Sequence, residues 1–242
     1  MNKFKWKELM RKYWDIEANS YDNSHLKIAT SDLYVEQRRR EIILPMINKN
    51  INGKLLDVAC GTGYYLQLLS NSCECVGSDI SKRMIEQCRK KGLKNVLVAD
   101  YEALPFGNNS FDIILCINAF HYTKNPEKVL HEINRVLKED GVIILTYFNL
   151  LNPRAIVHFV RDIFGIKVNI EQRYTIFTIE KMLNKAGLEV IESYACNFLP
   201  YPVDGKKRNE AVLKAFEIFE KKIRRTAFKH LANEVILILK RR

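Results

Sequence analysis

Apolar residues along this chain follow two rhythms, and the alternation between them predicts the fold. Short, nearly unbroken runs read as strands buried on both faces: Leu55-Leu56-Asp57-Val58, Glu74 to Asp79, Val96-Leu97-Val98, Phe111 to Cys116 and Val142 to Phe148. Between them, Tyr64 to Leu69, a Ser81-capped stretch through Met84-Ile85, and Leu130 to Leu137 carry helical spacing, the last ending at Asp140-Gly141. Strand and helix in alternation imply parallel pairing with right-handed crossovers, and a ligand crevice where strand order reverses, between the first and fourth strands. Upstream, residues 4–22 predict a helix with one aromatic face (Trp6, Leu9, Met10, Tyr13, Trp14), and Ser31 heads a second helix to about Ile47, interrupted near Pro45. Asn52-Gly53 then turns the chain into the first strand. Downstream the pattern predicts a helical stretch from Asn152-Pro153 to about Gly165 and a loop through Arg173-Tyr174. A Thr178-capped helix from Ile179 to Ala186 follows, and Val212, Phe216, Phe219 and Ile223 share one further helical face.

Chemistry concentrates where the strands stop. The first run ends in Asp57-Val58-Ala59-Cys60-Gly61-Thr62-Gly63, and the glycines permit backbone angles that a side chain resists, so a ligand can approach the main chain there. The following helix begins at Tyr64 and offers free amides to polar groups. Neither a Walker loop, which needs Lys-Ser/Thr after its last glycine, nor a G-x-G-x-x-G dinucleotide loop fits, since Tyr64 and Leu66 follow Gly63. Asp79 closes the second strand 22 residues after Asp57, close to the interval at which an acid accepts hydrogen bonds from ribose hydroxyls.

This acid followed by a Gly-x-Gly turn resembles motif I of the class I S-adenosylmethionine-dependent methyltransferases, with Ala59 standing where many members carry a first glycine. Asp100-Tyr101-Glu102-Ala103-Leu104-Pro105-Phe106 closely resembles that family's strand-three signature, and the Leu130 to Gly141 pattern resembles it again. An aromatic helix ending in Ala18-Asn19-Ser20-Tyr21-Asp22 resembles the lid of the ubiquinone/menaquinone-type members. The resemblance implies a Rossmann-like, doubly wound α/β sheet of seven strands with helices on both faces. The sheet is mostly parallel, with Leu188 to Ala195 as the sixth strand and Glu234 to Leu239 as an antiparallel last strand. It implies S-adenosylmethionine as methyl donor, held by Tyr21, Asp57, Ala59, Cys60, Gly61, Gly63, Asp79, Ile80, Met84, Asp100, Tyr101 and Ile117. In this likeness Tyr21 closes over the methionine end, while Asp100 accepts from the adenine amino group and the Tyr101 amide donates to a ring nitrogen. A group near the acceptor comes from the fourth-strand loop, where Asn118, His121 and Tyr122 are candidates and His121 is the candidate catalytic base.

Composition narrows the rest. With 242 residues, 47% of them hydrophobic, one domain is expected: residues 1–53 as a helical lid, 54–149 as the cofactor core and 150–242 as acceptor-side and C-terminal elements. The N-terminus carries no apolar stretch of signal-peptide length and the run Val235 to Leu239 is too short to cross a bilayer, which predicts a soluble, cytoplasmic protein. Six cysteines without a C-x-x-C, and no cluster with ligand spacing, give neither a disulfide framework nor a metal site.

The net charge of +11 divides into +4 for residues 1–54, −1 for 55–204 and +8 for 205–242, so basicity belongs to the flanks. Eight lysines and arginines between 206 and 225 allow peripheral membrane contact, with nucleic acid less favoured. Aromatic cover from the first helix (Trp6, Tyr13, Trp14) and from the 152–174 stretch (Phe159, Phe164, Tyr174) favours a small-molecule acceptor such as a phenol, quinol or lipid-like compound. Lys221 and Lys222 are then dispensable for the chemistry. The competing readings are an RNA or protein methyltransferase using the basic flanks, and a non-catalytic binder of the same nucleoside. Against the first, the fourth-strand loop lacks the Asn/Asp-Pro-Pro-aromatic motif of amino-directed nucleic-acid methylation.

Overall fold

The computed structural model describes residues 3–22, 31–48, 53–152, 172–196, 218–219, 222, 226 and 231–242. Two helices, α1 (Lys3–Glu17) and α2 (Ser31–Asn48), precede an alternating series: β1 (Lys54–Val58), α3 (Tyr64–Leu69), β2 (Glu74–Asp79), α4 (Lys82–Lys90), β3 (Val96–Val98), β4 (Phe111–Cys116), α5 (Pro126–Val136) and β5 (Leu137–Asn149). Then come β6 (Arg173–Tyr174), α6 (Ile176–Lys185), β7 (Leu188–Cys196) and β8 (Glu234–Arg241). The sheet runs β3-β2-β1-β4-β5-β8-β7, with β6 attached to β5. Strands β1 to β5 pair in parallel, and β8 slots antiparallel between β5 and β7.

Period-two alternation distributes the sheet's side chains between two cores, which is why the strands read as continuous apolar runs. Leu56, Val58, Ile114, Cys116, Ile143, Leu145, Leu237 and Leu239 pack on one face with Val129, Leu130, Ile133 and Val136 of α5 and with Ile179, Met182 and Leu183 of α6. Their neighbours Leu55, Ile113, Leu115, Ile144, Ile236 and Ile238 point the other way, against Ile42, Ile43 and Ile47 of α2 and Tyr65 and Leu69 of α3.

Several boundaries differ from the expectations. The sheet has eight strands rather than seven, because Arg173 and Tyr174, expected in a loop, pair with Phe148 and Asn149. Strand β5 starts at Leu137, whose pairing with Phe111 extends it ahead of the apolar run. Helix α2 passes through Pro45. Proline there removes one hydrogen bond near the helix end, and the fully buried Ile43 and Ile47 hold that turn against the sheet. Helix α6 is capped by Thr175, whose hydroxyl accepts from the Thr178 amide, so Thr178 lies inside the first turn rather than at the cap. Ser81 caps α4 as expected, accepting from the Met84 amide. The expected helix after Pro153, with Phe159 and Phe164, and most of the basic 206–225 segment, including Lys221, Arg224 and Arg225, lie outside the described residues.

Candidate active site

At the carboxyl ends of β1, β2 and β4, and over the loop that follows β3, lies a cavity of about 1070 Å³ counted out to its open mouth. Its floor begins with the glycine-rich turn. Ala59, Gly61 and Gly63 adopt φ of 57°, 55° and 82°, the left-handed region, which for Ala59 costs roughly 1 kcal/mol. A Cβ on Gly61 would meet nothing within 4 Å, so the turn presents bare backbone to the cavity. Gly63 has another task. It caps α3, a Cβ there would come within 2.4 Å of Leu93, and it does not line the cavity.

Asp79 locks this turn to the next helix. Its Oδ2 accepts from the Gly61 amide at 2.9 Å and its Oδ1 from the Ser81 amide at 2.8 Å. Burial pushes its carboxyl up to about 6, against those backbone hydrogen bonds, which pull it down. Asp57 is pushed up to about 8 by burial and then by the neighbouring Asp79 and Glu36. Asp100 accepts from the Glu102 amide at 2.9 Å. Ala59, Cys60, Ile80, Met84, Tyr101 and Ile117 complete the floor residues expected from the sequence, and all of them line the cavity.

The roof is α1. The Trp6 indole donates to the Tyr122 carbonyl at 2.8 Å, and Trp14 meets Tyr122 and Tyr21 edge-on at 5.1 Å and 6.1 Å between centroids. Asp15 accepts from the Ser81 hydroxyl at 2.6 Å, and Asp22 accepts from the Thr62 hydroxyl at 2.5 Å and pairs with Lys91 at 2.6 Å. Trp6, Met10, Trp14 and Tyr21 face the cavity. Tyr13 does not line it and packs edge-on against Trp14, and Tyr174 lies outside, beside Phe120. Burial pushes the Tyr21 phenol up to about 12.

One wall carries a charge cluster that sequence reasoning missed. Arg39 binds both oxygens of Glu234 (2.8 Å from Nε to Oε1) and Oε2 of Glu36 (2.7 Å), and Tyr65 donates to Glu36 at 2.6 Å. The Glu36/Arg39 spacing of three on a helix was a readable signal, but Glu234, 195 residues from Arg39, was not. Lys7, Thr62, Tyr64, Glu102, Ala119 and Thr123 also line the cavity without having been assigned to the cofactor or acceptor.

His121 lies outside the lining. It is fully buried, stacked on Phe148 at 4.1 Å and 22°, and neither ring nitrogen has a hydrogen-bond partner among the described residues. Burial, then Arg39 and Arg173, hold its pKa well below the usual histidine range, so the ring is neutral. Asn118 does line the cavity, at φ 54°, with its backbone N–H donating to the Thr146 hydroxyl at 2.7 Å. Among the described residues no three His, Cys, Asp or Glu side chains form a metal-binding group, and no helix is long and apolar enough to cross a membrane.

Residues 56–145 match the methyltransferase domain family. Over 218 residues the chain is 31% identical to an uncharacterized protein of Methanocaldococcus jannaschii, covering 81% of this chain and 82% of that one. It is 34% identical over 128 residues to the ubiquinone/menaquinone biosynthesis C-methyltransferase of Citrifermentans bemidjiense, covering 48% of this chain and 54% of that enzyme. Matches to other curated methyltransferases span about 35–39% of their length. The fold superposes on magnesium protoporphyrin IX methyltransferase from Synechocystis, solved with bound SAH, with a TM-score of 0.68 and 14% identity over 98% of this chain and all of that one. Together with the strand order and the glycine turn, these likenesses place the chain in the class I S-adenosylmethionine-dependent methyltransferases. It is an enzyme that uses S-adenosylmethionine.

Proposed function

We propose that the enzyme transfers the methyl group to a small, largely apolar or ring-bearing acceptor, by in-line displacement, inside the cavity closed by α1. The observation that carries this reading is the roof: Trp6, Met10, Trp14, Tyr21 and Tyr122 enclose the space over the strand ends, and such a lining suits a small ring better than a phosphate backbone.

The residues fit the donor. Bare backbone at Gly61 leaves room for it, and in this reading Asp79 accepts from the ribose hydroxyls while Asp100 and the Tyr101 amide receive adenine. Ala59, Cys60, Ile80, Met84 and Ile117 supply apolar and backbone contact, and Asp57 supports the turn from below. Tyr21 covers the methionine end. The donor brings a sulfonium methyl group that is already activated. What the protein adds is orientation and exclusion of water: the aromatic roof keeps the reacting pair dry and α1 holds Tyr122 in place through Trp6. His121, neutral and behind Tyr122, is assigned to packing here, and Asn118 and Tyr122 are the candidates of that loop that line the cavity. A methyl-transfer screen with labelled donor over quinol, phenol, lipid, RNA and protein fractions tests the proposal. Label in a small-molecule fraction is expected, and label confined to RNA or protein overturns it.

A further inference from the structure

Lys7 sits on the cavity face of α1, one residue beyond Trp6, and its ammonium lies 2.6 Å from Asp100 Oδ2 and 2.8 Å from Glu102 Oε2. The two acids differ in how they are held. Glu102 is buried and already anchored, accepting from the Thr123 hydroxyl at 3.1 Å and the Asn125 amide at 2.9 Å. Among the described residues, Asp100 has only the Glu102 backbone amide on Oδ1, and its Oδ2 is held by Lys7. A carboxylate gripped at one oxygen can swing, whereas gripped at both it presents its remaining lone pairs in a fixed plane. Two carboxylates so close also repel unless a cation stands between them.

We propose that Lys7 is a positioning residue for the nucleobase: acting through Asp100, it fixes the carboxylate that discriminates adenine by its exocyclic amino group. The inference rests on the reading that Asp100 receives adenine. It adds that selectivity for the base is completed by the roof, since Lys7 belongs to α1 and stands 93 residues from Asp100 in sequence. Closure of α1 and recognition of the base are then one event. A 6-oxo base places an acceptor where adenine has a donor, so a fixed Asp100 rejects it and a swinging one does so less.

The test uses the full-length protein and calorimetry with S-adenosylhomocysteine and S-inosylhomocysteine, on wild type, Lys7→Met, Lys7→Arg and Asp100→Asn, with melting curves to confirm folding. Lys7→Met is expected to weaken S-adenosylhomocysteine binding roughly threefold to tenfold and to lower the preference for it over the inosyl analogue. Lys7→Arg, which still reaches both carboxylates, restores most of that preference. Tighter binding by Lys7→Met would show the ammonium to be a plug competing with the base, and an unchanged preference would show an ordinary surface pair; either overturns the proposal. If Asp100→Asn leaves the preference intact, the adenine seat itself is wrong. If Asp100→Asn abolishes the preference and Lys7→Met does not change it, the seat stands and only the role of Lys7 fails.

Discussion

The floor and the roof of the cavity are built from different materials. Below, the chain offers main-chain atoms and short acids at strand ends: the Ala59 to Gly63 turn, Asp57, Asp79 and the Tyr101 backbone, each set by its neighbours in sequence and braced by the parallel sheet. Above, α1 reaches across with the side chains of Trp6, Lys7, Trp14 and Asp15, which fasten onto the loops after β2, β3 and β4. The floor is braced by the sheet, whereas the roof is held by individual side-chain contacts. On this contrast we expect acceptor access to depend on the roof and donor binding chiefly on the floor, with Tyr21 and Lys7 the roof residues that reach the donor side, and four measurements test how far the two separate.

The largest effect is expected on the floor. Asp79→Ala removes hydrogen bonds to a charged acceptor, each worth about 1.5–3 kcal/mol, and also frees the Gly61 amide. S-Adenosylhomocysteine affinity measured by calorimetry should fall at least tenfold to a hundredfold, and unchanged affinity would remove Asp79 from the site.

Next comes pH. Asp79 must be ionised to accept from two hydroxyls, and its carboxyl titrates at about 6, so donor affinity should be flat above pH 7 and fall about tenfold per pH unit well below 6. Asp79→Asn should flatten that fall; a wild-type profile level down to pH 4.5 contradicts the assignment.

On the roof, Trp14→Ala loses edge contacts to Tyr21 and Tyr122 worth about 0.5–1.5 kcal/mol each. The KM for the acceptor should rise about fivefold, while S-adenosylhomocysteine affinity changes by less than about threefold. Equal losses on both would mean that floor and roof are not separable.

The last measurement concerns stability rather than binding. Asp57 has its folded pKa raised from 3.8 to about 8, so its contribution is fully present below pH 4 and is lost as pH rises through 8. Asp57→Asn should therefore gain in melting temperature over wild type progressively as pH rises from 4 to 8 and hold that gain above 8, by thermal scanning, each kcal/mol being worth about 2–4 °C for a domain of this size. A variant that melts lower at pH 9 would show that Asp57 is stabilised as an anion.

Much of the floor was legible before any coordinates. Eleven of the twelve residues expected to hold the donor line the cavity, because a glycine turn after an apolar run and an acid after each of the next two strands are local features. Gly63 is the exception, for its left-handed φ caps α3 and packs against Leu93 rather than facing the ligand. His121 was expected from its place in the fourth-strand loop and its residue type, but chemistry of that kind also depends on direction, and the ring lies against Phe148 rather than in the cavity lining. Tyr13 and Trp14 are neighbours on the same helix, yet only Trp14 faces inward, a question of helix rotation that the aromatic pattern left open.

Sequence by itself determined the alternation of strands and helices, the division of the sheet into two cores and the placing of acids at strand ends, since each needs only a residue and its near neighbours. Tertiary structure alone decided that β8 enters between β5 and β7, that Arg39 meets Glu234, and that Lys7 meets Asp100. Those pairings span 195 and 93 residues. No local periodicity encodes them, because they exist only once packing has closed the long loops and brought buried charges to the partners that burial demands.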